Sequence, residues 1–179
     1  MRKRKFTTKQ ITLDAMLAAM CAVLGYLAID TGTVKVTFES VPVLIAALLF
    51  GPLDGMAVGL VGTLVYQLLR YGVSATTVLW ILPYVLCGLI VGLYARKKPF
   101  PLKQGQIVFI IVLAELVITA LNTLTLYVDS KIYGYYFPGI IQGALALRLI
   151  LCVVKAVAYA YLLPLLLRPL RKFIRRKAA

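Results

Sequence analysis

Three ionisable side chains fall inside long apolar stretches of this sequence: Glu115, Arg148 and Lys155. A charge in hydrocarbon is costly, so each is a candidate either for function or for a buried pair. Arg148 and Lys155 are seven residues apart and therefore share a helix face. At about 1.5 Å per residue, Arg148 lies roughly 15 Å and Glu115 roughly 20 Å below the outer ends of their spans. Those depths allow a Glu115–Arg148 clamp that fixes helix packing, or a direct contact between Arg148 and a ligand. Lys155 lies deep enough for its stem to reach the inner interface.

A second group gathers toward the outer side. Gln67, Arg70 and Tyr71 close one apolar run, Trp80 and Tyr84 open the next, and Asn122 with Thr123, Thr125 and Tyr127 ends a third. The segment from Asp129 to Phe137 adds four aromatic side chains. Taken singly, such aromatics suit interface anchors. Together with two amides they suit a pocket for a planar heterocycle. Arg70, Lys35 and Lys131 suit an anionic tail.

Other chemistries find no support. The chain has no histidine, and Cys21, Cys87 and Cys152 each stand alone in an apolar segment, which argues against a metal site or a disulfide framework. No span carries paired carboxylates, and no Gly-rich turn ends in Gly-Lys-Ser/Thr. The expectation is a protein that is not an enzyme, binds no metal and holds no cofactor of its own.

The elements that must position these residues are membrane helices. Hydrophobic residues make up 62% of the 179, which excludes an ordinary soluble domain. Six spans are expected within one membrane domain, 1–179: about 11–29, 42–50, 55–70, 76–95, 106–128 and 138–167. The first apolar run continues as a full span, so no cleavable signal peptide is expected. The second span is too short for a hydrocarbon core of about 30 Å. Pro83 frees a backbone carbonyl in the fourth. The fold class is thus an all-α integral membrane protein.

Of the 20 basic residues, five lie in Arg2–Lys9, four in Arg96–Lys103 and six in Arg168–Lys177. Clusters flanking hydrophobic spans mark cytoplasmic segments, so both termini are placed in the cytoplasm and the net charge of +14 faces lipid headgroups rather than nucleic acid.

Two patterns of small residues complete the reading. Gly51, Gly55 and Gly59 recur every four residues, with Gly62 beyond, and let backbones approach closely. Gly51-Pro52-Leu53-Asp54 reads as a short turn between the second and third helices. In the first helix Ala15 with Ala19, and Ala18 with Ala22, form small-residue stripes.

With the Thr37-Phe38-Glu39-Ser40-Val41-Pro42 segment and the Phe50-Gly51-Pro52-x-x-Gly55 turn, the chain resembles the S components of energy-coupling-factor (ECF) vitamin transporters, over nearly its whole length. Within them it looks most like the folate group. That group often carries an Asp beyond the third-helix glycines, where Gly62-Thr63-Leu64-Val65-Tyr66 has none. It also often reads Tyr-Phe-Pro-Gly before helix four, whereas here Tyr136-Phe137-Pro138-Gly139 precedes helix six.

The resemblance implies high-affinity vitamin capture from outside and delivery to an ECF transmembrane coupling subunit with two ATPase subunits that use the ATP. It implies a multi-pass protein of the bacterial cell membrane. Ala15, Ala19, Ala18 and Ala22 become partner-facing. Thr31–Ser40 becomes a gate, with Lys35, Phe38 and Glu39 in it. The implied substrate set is Arg70, Gln67, Trp80, Tyr84, Asn122, Tyr127, Arg148 and Glu39. Rings of folate would lie on Trp80, Tyr84 and Tyr127, with carboxylates on Arg70 or Lys131 and the pterin edge at Asn122 or Glu115. Alternatives are another vitamin (pantothenate, riboflavin, cobalamin) or a gradient-driven secondary transporter that titrates Glu115.

Overall fold

The computed structural model describes residues 7–30, 35–97 and 104–176. Six helices follow in chain order: α1 Thr8–Tyr26, α2 Ser40–Leu49, α3 Pro52–Tyr71, α4 Thr77–Lys97, α5 Gln104–Ile132 and α6 Pro138–Arg176. Between α1 and α2, β1 Ile29–Asp30 pairs antiparallel with β2 Lys35–Val36, in the register Ile29↔Val36 and Asp30↔Lys35. The all-α expectation therefore gains one two-residue ladder, in which the chain leaving α1 satisfies its backbone groups against the chain entering α2. Residues 31–34 of the expected gate, the side chain of Lys35 and most of the basic clusters lie outside the described residues.

Among the described residues, four helices are long and apolar enough to cross a membrane: α3, α4, α5 and residues Pro138–Leu167 of α6, with mean hydropathies of 1.3, 2.2, 2.4 and 2.2. The ten-residue α2 is about 15 Å long, half of a hydrocarbon core of about 30 Å. It is apolar all round, and Val43, Leu44, Ile45, Ala46 and Ala47 are buried completely or nearly so. A helix with no polar face must be surrounded. Helices α1, α3, α4 and α6 all pack on α2, and the largest core cluster forms where α2 meets α4, α5 and α6. On the outside, residues such as Phe109, Leu116, Val153 and Val157 are exposed, which suits lipid rather than water.

The expected four-residue turn is tighter in the structure. Gly51 adopts φ 112° and Pro52 already begins α3, because proline fits the first helical position and needs no N–H there. Asp54 in that first turn is buried and accepts a hydrogen bond from Gln10 Nε2 at 2.6 Å, which ties the start of α1 to the start of α3.

The glycines of α3 work as close-contact positions on two sides. A Cβ on Gly59 would stand 2.8 Å from the Tyr84 carbonyl oxygen of α4, and one on Gly62 would stand 2.7 Å from Cys21 Sγ of α1. Pro83 interrupts the α4 ladder, and the carbonyl four residues earlier, Leu79, accepts instead from Thr125 Oγ1 of α5 at 3.1 Å.

Gly59→Leu should destabilise the detergent-solubilised chain by at least about 1–3 kcal/mol, because the backbone of α4 cannot step aside. Gly105→Ala, whose Cβ meets nothing within 4 Å, should leave the thermal midpoint unchanged within error.

Candidate functional site

Because α2 fills only half the length of its neighbours, a space remains beyond its N-terminus. A cavity of about 410 Å³ occupies it, at the end of the bundle that carries the α3–α4 and α5–α6 turns. Ligand pockets commonly measure about 300–1,000 Å³.

Thr37 and Glu39 form the floor of the cavity, and their segment, Thr37–Ser40, is held by four helices. Thr37 Oγ1 lies 3.1 Å from Glu39 Oε1 and 3.4 Å from the Tyr84 hydroxyl of α4. The Phe38 ring leans on Tyr159 of α6 with centroids 6.3 Å apart. The Glu39 carbonyl accepts from Cys21 Sγ of α1 at 3.3 Å. Ser40 Oγ donates to Glu115 Oε1 of α5 at 2.9 Å, and Tyr159 OH stands 2.9 Å from the same Ser40 oxygen. Gly25 of α1 makes room for the Glu39 carboxylate, since a Cβ there would meet Oε2 at 2.6 Å.

Glu115 is fully buried and pairs with Lys155, whose Nζ stands 2.7 Å from Oε2. The expected Glu115–Arg148 clamp is therefore not the one that forms. Helix α5 ends at Ile132, four residues beyond the expected limit, which sets Glu115 about 6 Å deeper and level with Lys155. Lys155 accordingly turns inward to Glu115 and to the cavity wall instead of reaching for the inner interface. Among the described residues, Arg148 makes one hydrogen bond, from Nη1 to Thr123 Oγ1 at 3.2 Å, which uses one of its five donors.

At the far rim, Asp129 accepts from three side chains: Thr76 Oγ1, Trp80 Nε1 at 3.4 Å and Tyr135 OH. Partial burial, and next the Asp129 carboxylate, push the Tyr135 phenol up to about 12, so it stays a donor at neutral pH. Tyr133 OH accepts from the Ala75 amide at 3.3 Å, so the turn after α5 is bound to the start of α4.

Six of the residues expected to bind substrate line this cavity: Glu39, Gln67, Trp80, Tyr84, Asn122 and Arg148. Asn122 Oδ1 is buried without a hydrogen-bond partner among the described residues. Two expected residues lie elsewhere. On α3, Tyr66, Gln67 and Tyr71 line the cavity and Arg70 does not. Its Nη1 donates to the Tyr26 carbonyl at 3.0 Å, and its guanidinium stands 5.8 Å from the Tyr71 ring centroid. On α5 the lining residues are Ile118, Thr119, Asn122, Leu126 and Asp129, and Tyr127 is turned outward against Tyr136. Lys131, expected beside an anionic tail, sits 4.0 Å over the Tyr136 ring instead.

Asp129, Lys155 and Tyr159 were not expected at the site, and Ser40 was expected only as the end of the gate. The signal for Asp129 is a seven-residue spacing of polar groups along α5, Glu115, Asn122 and Asp129, which parallels Arg148 and Lys155 on α6. Nothing local marks Tyr159, which meets Ser40 across 119 residues.

On α1 the two alanine stripes separate. Ala15 and Ala19 are exposed, with Met16 and Met20. Ala18 and Ala22, expected to face a partner, are buried, and the Ala18 carbonyl would stand 2.9 Å from a Cβ on Gly62. Close packing of α1 on the α3 glycines takes that face out of reach.

Comparison with known proteins places the geometry among relatives. The family model described as "ECF transporter, substrate-specific component" matches residues 9–173. UPF0397 proteins from strains of Streptococcus pneumoniae are 34% identical over 96 residues, 51% of this chain and 50% of theirs; the match spans about half the length of these curated relatives. A crystal structure of FolT bound with folic acid superposes with a TM-score of 0.65 at 25% identity, covering 87% of this chain and 90% of that one. The S component of a bacterial ECF transporter also gives 0.65, at 23% identity over 93% and 97% of the two chains, and speaks for the fold alone.

Lys155→Met should destabilise the chain by about 3–5 kcal/mol by leaving the Glu115 carboxylate buried and uncompensated. Adding Glu115→Leu should recover most of that loss, read as the thermal midpoint of the two variants side by side.

Proposed function

The chain belongs to the family of ECF transporter substrate-specific components, and on that premise we propose that it captures folate in the cavity beyond α2. The family and the apolar helices make it a multi-pass membrane protein. The observation that carries the substrate proposal is the pairing, in one cavity, of aromatic walls with a guanidinium that has donors to spare.

Trp80, Tyr84 and Tyr71 offer ring faces for flat heterocycles. The open oxygen of Asn122 accepts from a donor on a pterin edge, and the Glu39 carboxylate supplies a further acceptor. Lys155 is committed to Glu115, so among the described residues Arg148 is the lining cation left for a glutamate carboxylate, in the role first expected of Arg70 or Lys131. FolT, solved with folic acid, shares the fold and supports the same choice of vitamin. Pantothenate, riboflavin and cobalamin are the alternative substrates. Gradient-driven transport is the second alternative, and the hold of Lys155 and Ser40 on Glu115 speaks against it.

Delivery inward falls to partners: an ECF coupling subunit in the membrane and two ATPase subunits that consume ATP. The exposed Ala15 and Ala19 of α1, with no bulky side chain at either position, form the proposed docking face. Both termini are proposed to be cytoplasmic, in the bacterial cell membrane, which turns the cavity outward.

Trp80 is the single tryptophan of the chain and lines the cavity, so its fluorescence reports directly on occupancy. Folic acid should quench it with saturation at one equivalent. Arg148→Met should weaken folic acid by about 10- to 100-fold, the value of a hydrogen-bonded charge contact, and leave unsubstituted pterin nearly unaffected. Saturable quenching by a different vitamin and none by folic acid would reassign the substrate.

A further inference from the structure

The proton inventory around Ser40 has one solution. A serine hydroxyl has one proton to give, and an ionised carboxylate can only accept. Ser40 therefore donates to Glu115 Oε1, and Tyr159 OH must donate to Ser40 Oγ. Lys155 Nζ closes the chain on Glu115 Oε2. Tyr159 and Lys155 are one turn apart on α6, so a single helix face grips the Ser40–Glu115 bond from both ends. Ser40 is the first residue of α2 and directly follows Glu39, which lines the cavity. Among the described residues, Lys155 is the member of this chain that also reaches the cavity wall.

We propose that Glu115 and Lys155 are positioning residues for ligand capture: their ion pair orders the hydroxyl chain through Ser40 and so fixes Thr37–Glu39 on the floor. Bulk packing does not need the charges, since α2 is already enclosed by apolar side chains on every side. The hydroxyls of Ser40 and Tyr159 are both fully or almost fully buried, and without the Glu115 acceptor they have only each other, so one of their two protons is left without a partner among the described residues. Such a network is worth most when every member is satisfied, and it fails as a unit. The pair thus acts on the ligand through the backbone of 37–39, not by touching it. The role in capture rests on reading the cavity as the ligand site, whereas the ordering of the segment does not.

Hydrogen exchange on the full-length, ligand-free chain in detergent tests the ordering alone. The double variant Glu115→Leu/Lys155→Leu removes both charges without stranding either, so it should fold with the helices α3 and α4 as protected as before. Exchange in residues 36–41 should rise by about tenfold or more, and Lys155→Arg, which keeps the cation, should retain the protection of the unaltered chain. Unchanged protection of 36–41 in the double variant would overturn the proposal, as would a uniform rise across all helices, which would reveal a packing role only. Folic acid titrated against the same proteins separates the two readings. Loss of folate affinity in the double variant alone supports the positioning role. Failure of the unaltered chain to bind folate removes the substrate assignment and leaves the exchange result standing.

Discussion

Everything about this bundle follows from a helix that is too short. Ten residues of α2 span about half of a hydrocarbon core, and its neighbours run on past its N-terminus. The chain leading into α2 must then run at depth without helical hydrogen bonds of its own. Irregular backbone at that depth persists only where protein or a polar cavity surrounds it. Each residue of Thr37–Ser40 accordingly has a partner on a different helix, and the space above them is the cavity. Pocket and short helix are one feature seen from two sides.

The second constraint is charge. A buried ion pair offsets its own desolvation only when the geometry is good and the remaining lone pairs are filled. Glu115 has Lys155 2.7 Å from one oxygen and a hydrogen bond from Ser40 on the other. Committing Lys155 in this way differentiates two cations that share a face of α6. Arg148, two turns away, keeps most of its donors, and the cavity acquires a polarity: carboxylates at Glu39 and Asp129, one guanidinium with capacity to spare. Backbone proximity contributes as well. Glycines of α3 bring α1 and α4 close enough that Cys21 can reach the Glu39 carbonyl and Tyr84 can reach Thr37.

Membership of the ECF substrate-specific components gives this architecture its context, and the helix faces divide the labour within it. One face of α1 is spent on packing, through Ala18 and Ala22, while the face with Ala15 and Ala19 remains open. Small residues have opposite consequences on the two faces of one helix: close approach inside the chain on one, an accessible surface on the other.

The sequence by itself determined the helices, because apolar length and punctuation are local properties. The Gly51-Pro52 turn, the missing half of α2 and the glycine contacts of α3 could all be read in order along the chain. So could most of the lining, since Gln67, Trp80, Tyr84, Asn122 and Arg148 are polar or aromatic where lipid would not have them. Only the tertiary structure decided which charge met which. A shift of four residues in the end of α5 moved Glu115 from Arg148 to Lys155, and a bond from Arg70 to the Tyr26 carbonyl of α1 took that guanidinium out of the cavity lining. Partner choice depends on the axial offset and phase of helices far apart in sequence. Ser40 and Tyr159, which meet across 119 residues, are ordinary apolar-helix neighbours until the bundle closes on them.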